Sequence, residues 1–239
     1  MNKLFKYLSL ILMGCTAIIL IGLQIKPLGF ITFAFGVLSL VKCSAKFRKD
    51  IVFIYISLGL LGITPISTSI DTSHMLIMGL LLTAAIAISY LGSRFVAKTH
   101  FVQFHFNFHR KWNSLEIFYV LLTILIAYLV FPFALRATGS YHNWTVSPGV
   151  ANLTLLFIGT NMLGIWDELF FVNSVLGILR KHLPFAAANL LQGILFTSFL
   201  YDLGFRGWLF LVIYGFALLQ GFIYKKTDSL FYIIVIHLL

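Results

Sequence analysis

Apolar residues run along this chain in nine long stretches separated by short polar or basic breaks. They lie at roughly 7–25, 28–42, 51–66, 75–93, 115–134, 149–179, 184–201, 206–224 and 229–239. The stretches are continuous rather than alternating, which predicts helices and argues against the short period-two strands of a transmembrane barrel. The fold expected is an all-α polytopic membrane protein, a helical bundle of about eight to nine transmembrane segments. The second and third stretches are short, so they are expected to tilt or to pair as a hairpin. The last holds about a dozen residues where a span needs about 20. It is expected either to continue past Leu239 or to enter the membrane without crossing it. No internal repeat is evident, which leaves an inverted-repeat transporter without support.

Composition agrees with the pattern. Hydrophobic residues make up 60% of the 239 residues, charged residues 10%, and the mean hydropathy is +1.00. A soluble domain of this length could not hide that much apolar surface. The net charge of +10 is spread over short breaks between the apolar stretches, a distribution that reads as topology and contact with membrane lipids rather than nucleic-acid binding. With a cytoplasmic N-terminus, fourteen Lys and Arg fall in cytoplasmic segments and only Lys26, Arg136 and Arg206 fall outside. That bias predicts an integral protein of a bacterial cytoplasmic membrane with its N-terminus inside. Lys3 and Lys6 precede the first apolar run as in a signal peptide, but the sequence after Cys15 stays apolar, so an uncleaved first span is expected. Cys15 and Cys43 suggest neither a disulfide framework nor a metal site.

Two breaks carry aromatic residues. In the cytoplasmic segment FVQFHFNFHRKW, Phe104, Phe106 and Phe108 alternate with His105, Asn107 and His109. The alternation predicts a ribbon lying at the interface. His100, His105 and His109 are read as interfacial anchors in preference to metal ligands. Tyr141, His142 and Trp144 in the outer break suggest an aromatic belt.

The chemistry-bearing feature is the pair Asp167–Glu168 inside the sixth stretch, two of only seven acidic residues. An ionisable group at bilayer depth costs at least ~2.5–3.5 kcal/mol on the insertion scale and marks a functional site by default. On an α-helix, Thr160, Asp167 and Ser174 would share one stripe, with Asn161 and Glu168 beside them. For Thr160, Asn161 and Ser174 a hydrogen-bonded seam between helices is the expected role. Burial and mutual repulsion fit one carboxylate to act as a general base. His237 lies in the last apolar stretch, and counting residues from the nearest basic break places Glu168 ~18 Å and His237 ~17 Å from the same side. The two are expected to form a joint site.

At these residues the chain resembles the CAAX prenyl endopeptidase and bacteriocin-processing family (CPBP, or Abi) of intramembrane proteases. The resemblance covers about Asn161 to Leu239. The family's EExxxR motif maps onto Asp167–Glu168 with Val172 in the arginine position, and its FxxxH motif onto Phe196 with Leu200 in the histidine position. Its HxxxN motif begins at His237, preceded by a family-like run that includes Gly221, Lys226, Thr227, Ser229 and Leu230. The asparagine of that motif would lie beyond Leu239. The resemblance divides the chain into N-terminal transmembrane segments with the aromatic, basic loop (1–135) and a CPBP-like core (149–239), open to continuation at its C-terminus.

The resemblance implies a carboxylate- and histidine-assisted attack of water on a peptide bond at bilayer depth. Asp167, Glu168 and His237 would be the catalytic residues. Gln192, ~15 Å deep and so nearer the level of Glu168 than Leu200 is, and Asn173, next to Val172, are candidate supporting donors from their positions alone, with Asn161 on the stripe of Glu168. No cofactor is expected, with a metal left open. The expected partners are membrane lipids and a membrane-embedded or membrane-anchored peptide or protein substrate. A second reading keeps the fold as an inactive scaffold, immunity or interaction protein. A third, weaker one makes it a proton-coupled carrier, since buried acids also relay protons.

Overall fold

The computed structural model describes residues 3–98 and 102–239, and the regular elements among them are all helical. His100 lies outside the described residues. In order they are α1 (Lys3–Thr16), prolonged by the π-helical segment Ala17–Gly22, α2 (Lys26–Leu40), α3 (Ala45–Ile63), and α4 (Thr72–Leu91), which ends in the π-helical turn Gly92–Val96. There follow α5 (Ser114–Ala137), a 3-10 turn (Ser140–Trp144), and α6 (Val150–Asp167), which passes through the π-helical segment Glu168–Val175 into α7 (Leu176–Arg180). The chain closes with α8 (Phe185–Asp202), α9 (Leu209–Thr227) and α10 (Leu230–Leu238).

The apolar stretches and the helices agree within a few residues, and the largest displacement is at α3. Ser44 caps that helix by accepting the Phe47 N–H, which starts it ahead of the apolar run and draws Asp50 into it. Among the described residues, five helical runs are long and apolar enough to cross a membrane: Lys3–Gly22, Thr72–Val96, Ser114–Ala137, Val150–Arg180 and Leu209–Thr227.

These runs differ in enclosure. In Val150–Arg180, 72% of the most apolar window is buried, against 11% in Ser114–Ala137. The stretch carrying Asp167 and Glu168 is therefore the centre of the bundle. By contrast α5 turns Phe118, Leu121, Leu125 and Phe133 outward, as lipid-facing residues do.

Side-chain contacts join helix ends that lie together at each end of the bundle. At one end, here the basic end, Lys6 donates to the His182 carbonyl at 2.6 Å, and Lys181 pairs with Asp50 at 2.6 Å. At the opposite end Gln24 donates to Asp202 and Lys26 to the Gly62 carbonyl, each at 2.6 Å.

The aromatic loop behaves differently from the ribbon expected at the interface. Its backbone receives the start of α10: the Leu230 N–H donates to the His105 carbonyl at 2.8 Å and the Phe231 N–H to the Phe106 carbonyl at 3.3 Å. The first N–H groups of a helix have no partner within it, and here the loop supplies them. Asn107 donates to the Asp228 carbonyl, His105 pairs with the Asp228 carboxylate at 3.1 Å, and Phe108 and Trp112 pack on Phe231. Tyr232 donates to the Glu116 carbonyl at 2.8 Å, fastening α10 to α5 as well. The alternating side chains thus form a clasp on α10.

Candidate active site

The π-helical segment decides how the sixth stretch presents its side chains. With hydrogen bonds spanning five residues instead of four, each turn is wider, and the seven-residue stripe of an α-helix is lost beyond Asp167. Ser174 consequently leaves the Asp167 face. It is fully buried, and its hydroxyl donates to the Leu169 carbonyl five residues back at 2.8 Å. The expected seam between helices is replaced by bonds within one helix. Thr160 donates to the Leu156 carbonyl at 3.0 Å, and Asn161 to the Phe157 carbonyl at 2.8 Å.

Asp167 and Glu168 are 1% and 0% exposed, and α10 brings His237 to them. The His237 Nδ1 lies 2.7 Å from Glu168 Oε1, and its Nε2 lies 3.8 Å from Asp167 Oδ2. Gln220 on α9 donates its amide to the same Glu168 oxygen at 2.8 Å and to the Ile233 carbonyl of α10 at 2.9 Å. With Glu168 Oε1 accepting from the imidazole as it does from Gln220, the proton sits on Nδ1 and Nε2 is the acceptor.

Gly164 sets the approach of α10 to α6. A Cβ there would stand 2.7 Å from Leu238 Cδ2 and 3.3 Å from the imidazole Cδ2 of His237. Phe196 and Phe216 wall the imidazole, with ring centroids 5.9 and 5.3 Å away. Trp166, stacked on Phe170 at 4.9 Å, ties α6 to α4 through its bond to the Leu82 carbonyl at 2.6 Å.

Asp167 and His237 open on a cavity of about 290 Å³ on the side away from the basic end, walled also by Thr160, Asn161, Leu200 and Trp144. Asp167 Oδ1 is buried and has no hydrogen-bond partner among the described residues. An apolar cleft of about 620 Å³ between α4 and α6 shares Trp144, Thr160 and Leu163 with this cavity.

The structure therefore brings Asp167, Glu168 and His237 together and sets Asn161 in the cavity wall. Asn173 is one π-turn from Glu168 on the same face, whereas an α-helix would turn it partly away. Its Oδ1 accepts from the Tyr224 hydroxyl at 2.8 Å. Gln192 is 0% exposed, and neither of its amide atoms has a partner among the described residues. Gln220 escaped sequence reading, because one glutamine in the apolar run ALLQGFIY carries no spacing signal. The described residues contain no group of three or more His, Cys, Asp or Glu able to hold a metal ion.

A helical bundle with a carboxylate pair and a histidine at its centre defines an all-α membrane protein with an internal polar site. Residues 149–239, less than half of the chain, match the family model described as Type II CAAX prenyl endopeptidase Rce1-like. The match covers the helices that carry Asp167, Glu168, Gln192, Gln220 and His237, and it is consistent with a member of the CPBP family. No curated protein and no solved structure matches the chain.

Proposed function

We propose that this chain is an intramembrane endopeptidase of the CAAX type, in which Asp167 and His237 activate water against a peptide bond at bilayer depth. The observation that carries this reading is the His237 ring held between two buried carboxylates at the wall of a cavity. Glu168 fixes the imidazole through Nδ1, so the Nε2 lone pair faces Asp167 across 3.8 Å. Water between them is within reach of both. His237 takes its proton as the oxygen attacks the carbonyl carbon, and the carboxylates stabilise the imidazolium that forms. Asn161, with a second amide proton beyond the one given to Phe157, is the candidate donor to the developing oxyanion.

The shared walls of cleft and cavity support a membrane-embedded or lipid-anchored substrate arriving from the bilayer between α4 and α6. The setting is a bundle of about eight to nine membrane segments in a bacterial cytoplasmic membrane, N-terminus inside, with no cofactor. The test is cleavage, in liposomes, of a farnesylated CAAX reporter and a panel of single-span peptides. Glu168→Ala and His237→Ala are each expected to abolish it, and wild-type rates from either variant overturn the assignment.

One observation favours the second reading, a non-catalytic scaffold or immunity protein. Leu200 lines the cavity at the position where the family motif supplies a histidine, and Val172, fully buried, replaces the motif's arginine. A phenotype that survives Asp167→Asn with Glu168→Gln supports it.

A further inference from the structure

Behind His237, on the face away from the cavity, five buried side chains keep polar atoms with no partner among the described residues. They are Glu168 Oε2, Gln220 Oε1, Asn173 Nδ2, Asn189 Oδ1 and both amide atoms of Gln192. Buried polar groups are almost always hydrogen-bonded, so a group of such atoms in one place points to a ligand.

Their placement is ordered. Glu168 and Asn173 are five residues apart on the π-helical segment and share a face. Gln220 and Tyr224, four apart on α9, meet them in turn: Gln220 bonds Glu168 and Tyr224 bonds Asn173, both at 2.8 Å. On α8, Asn189, Gln192 and Phe196 follow one face. Asn189 donates to the Leu218 carbonyl of α9 at 2.8 Å, a contact that the missing side chain of Gly221 permits, while Phe196 packs on the His237 ring. Gln192 therefore lies between the His237 level and the Asn189 level. The seam climbs ~6 Å from Gln220 to Tyr224, and one more turn of α9 reaches exposed Asp228 at the basic end.

The chemistry of these atoms selects the ligand. Glu168, Gln220 and Asn189 offer acceptors, Asn173 a donor, and Gln192 one of each kind. A cation would want acceptors alone and an anion donors alone. Water satisfies both, and internal water occupies sites of this kind with about three hydrogen bonds each.

We propose that Gln192, Asn173 and Tyr224 hold a file of internal water that joins Glu168 to the basic end of the bundle. Resting on the peptidase reading, this file is the route by which water and protons reach the Glu168–His237 pair while substrate fills the cavity on the Asp167 side. Gln192 and Asn173 are then positioning residues for water and touch no substrate.

The test is hydroxyl-radical footprinting of the full chain in lipid nanodiscs, with radicals generated from water itself. Tyr55 is the dry control, since it is fully buried and its hydroxyl donates to the Ser9 carbonyl. Tyr224 is expected to oxidise at least about tenfold faster than Tyr55. The double variant Gln192→Leu with Asn173→Leu should bring Tyr224 down to the Tyr55 rate at an unchanged melting temperature. The single variant Gln192→Met serves if the double variant does not fold. Equal rates for the two tyrosines in the wild type, or a Tyr224 rate indifferent to the substitutions, overturn the file. On a cleaved reporter the variants should lower kcat about tenfold and leave KM in place. A wild-type protein that cleaves nothing defeats the peptidase reading alone, because the footprint still decides the seam.

Discussion

The bundle holds two buried clusters of carboxylate and histidine, and their charge balance differs. At the basic end the Asp50 carboxylate pairs with Lys181 at 2.6 Å and with the His182 imidazole at 2.7 Å, so its charge is met by a fixed cation. At the centre, Asp167 and Glu168 share one histidine, with no Lys or Arg within ion-pair distance among the described residues. A balanced cluster rigidifies the junction of α3 with the turn after α7. On the proposed peptidase reading, the carboxylate pair with its single titratable partner is the part that moves protons. The carboxylates of both are buried, so burial alone does not separate a fastener from a site.

The largest effects expected fall on opposite properties in the two clusters. Glu168→Gln should lower cleavage by about 10²–10⁴, the range of general acid–base catalysis, with little change in melting temperature. Asp50→Ala should lower stability by about 3–5 kcal/mol, as for removal of one partner of a buried pair, and activity should track the folded fraction. Parallel thermal melts and rate measurements decide. A stable but dead Asp50 variant, or an unfolded Glu168 variant, would erase the distinction.

Next in size is the seat of α10. Gly164→Ala pushes on Leu238 and the imidazole, and displacement of a catalytic group by about 1 Å can cost 10²-fold in rate. The rate should fall by about that factor, while the Asp50 cluster, measured by the melt, stays as it was.

The smallest effect is the pH dependence of the basic-end cluster. Burial pushes the His182 imidazole below the ordinary histidine range, and Asp50 opposes it only in part. The unfolded chain therefore binds the proton more readily, and stability falls as pH drops from the ordinary histidine value toward the depressed one. His182→Gln should flatten the melting temperature across that window. An unchanged slope would show that His182 does not carry it.

Legibility from sequence divides along the same physical lines. Asp167, Glu168 and His237 stand out because an ionisable group in an apolar run is costly wherever the chain places it. Depth along a helix sufficed to match Glu168 with His237. Gln220 did not stand out, because a neutral amide in a membrane helix is cheap to explain. The π-helical segment was invisible, since no residue pattern announces the wider turn, and with it went the true facing of Ser174 and Asn173. The loop was misread for a related reason. The partners of the His105 and Phe106 carbonyls are backbone N–H groups of α10, which leave no signature in residue type.

That clasp bears on where a working unit begins. α10 carries His237, and the loop supplies partners for its first turn. Its first N–H groups and its aromatic face are held by Phe104–Trp112, upstream of the region that matches the family. A graft or truncation that starts at residue 149 would carry Asp167, Glu168 and His237 and leave behind the hand that holds the histidine. The modular boundary of this protein is drawn by hydrogen bonds and lies earlier in the chain than homology places it.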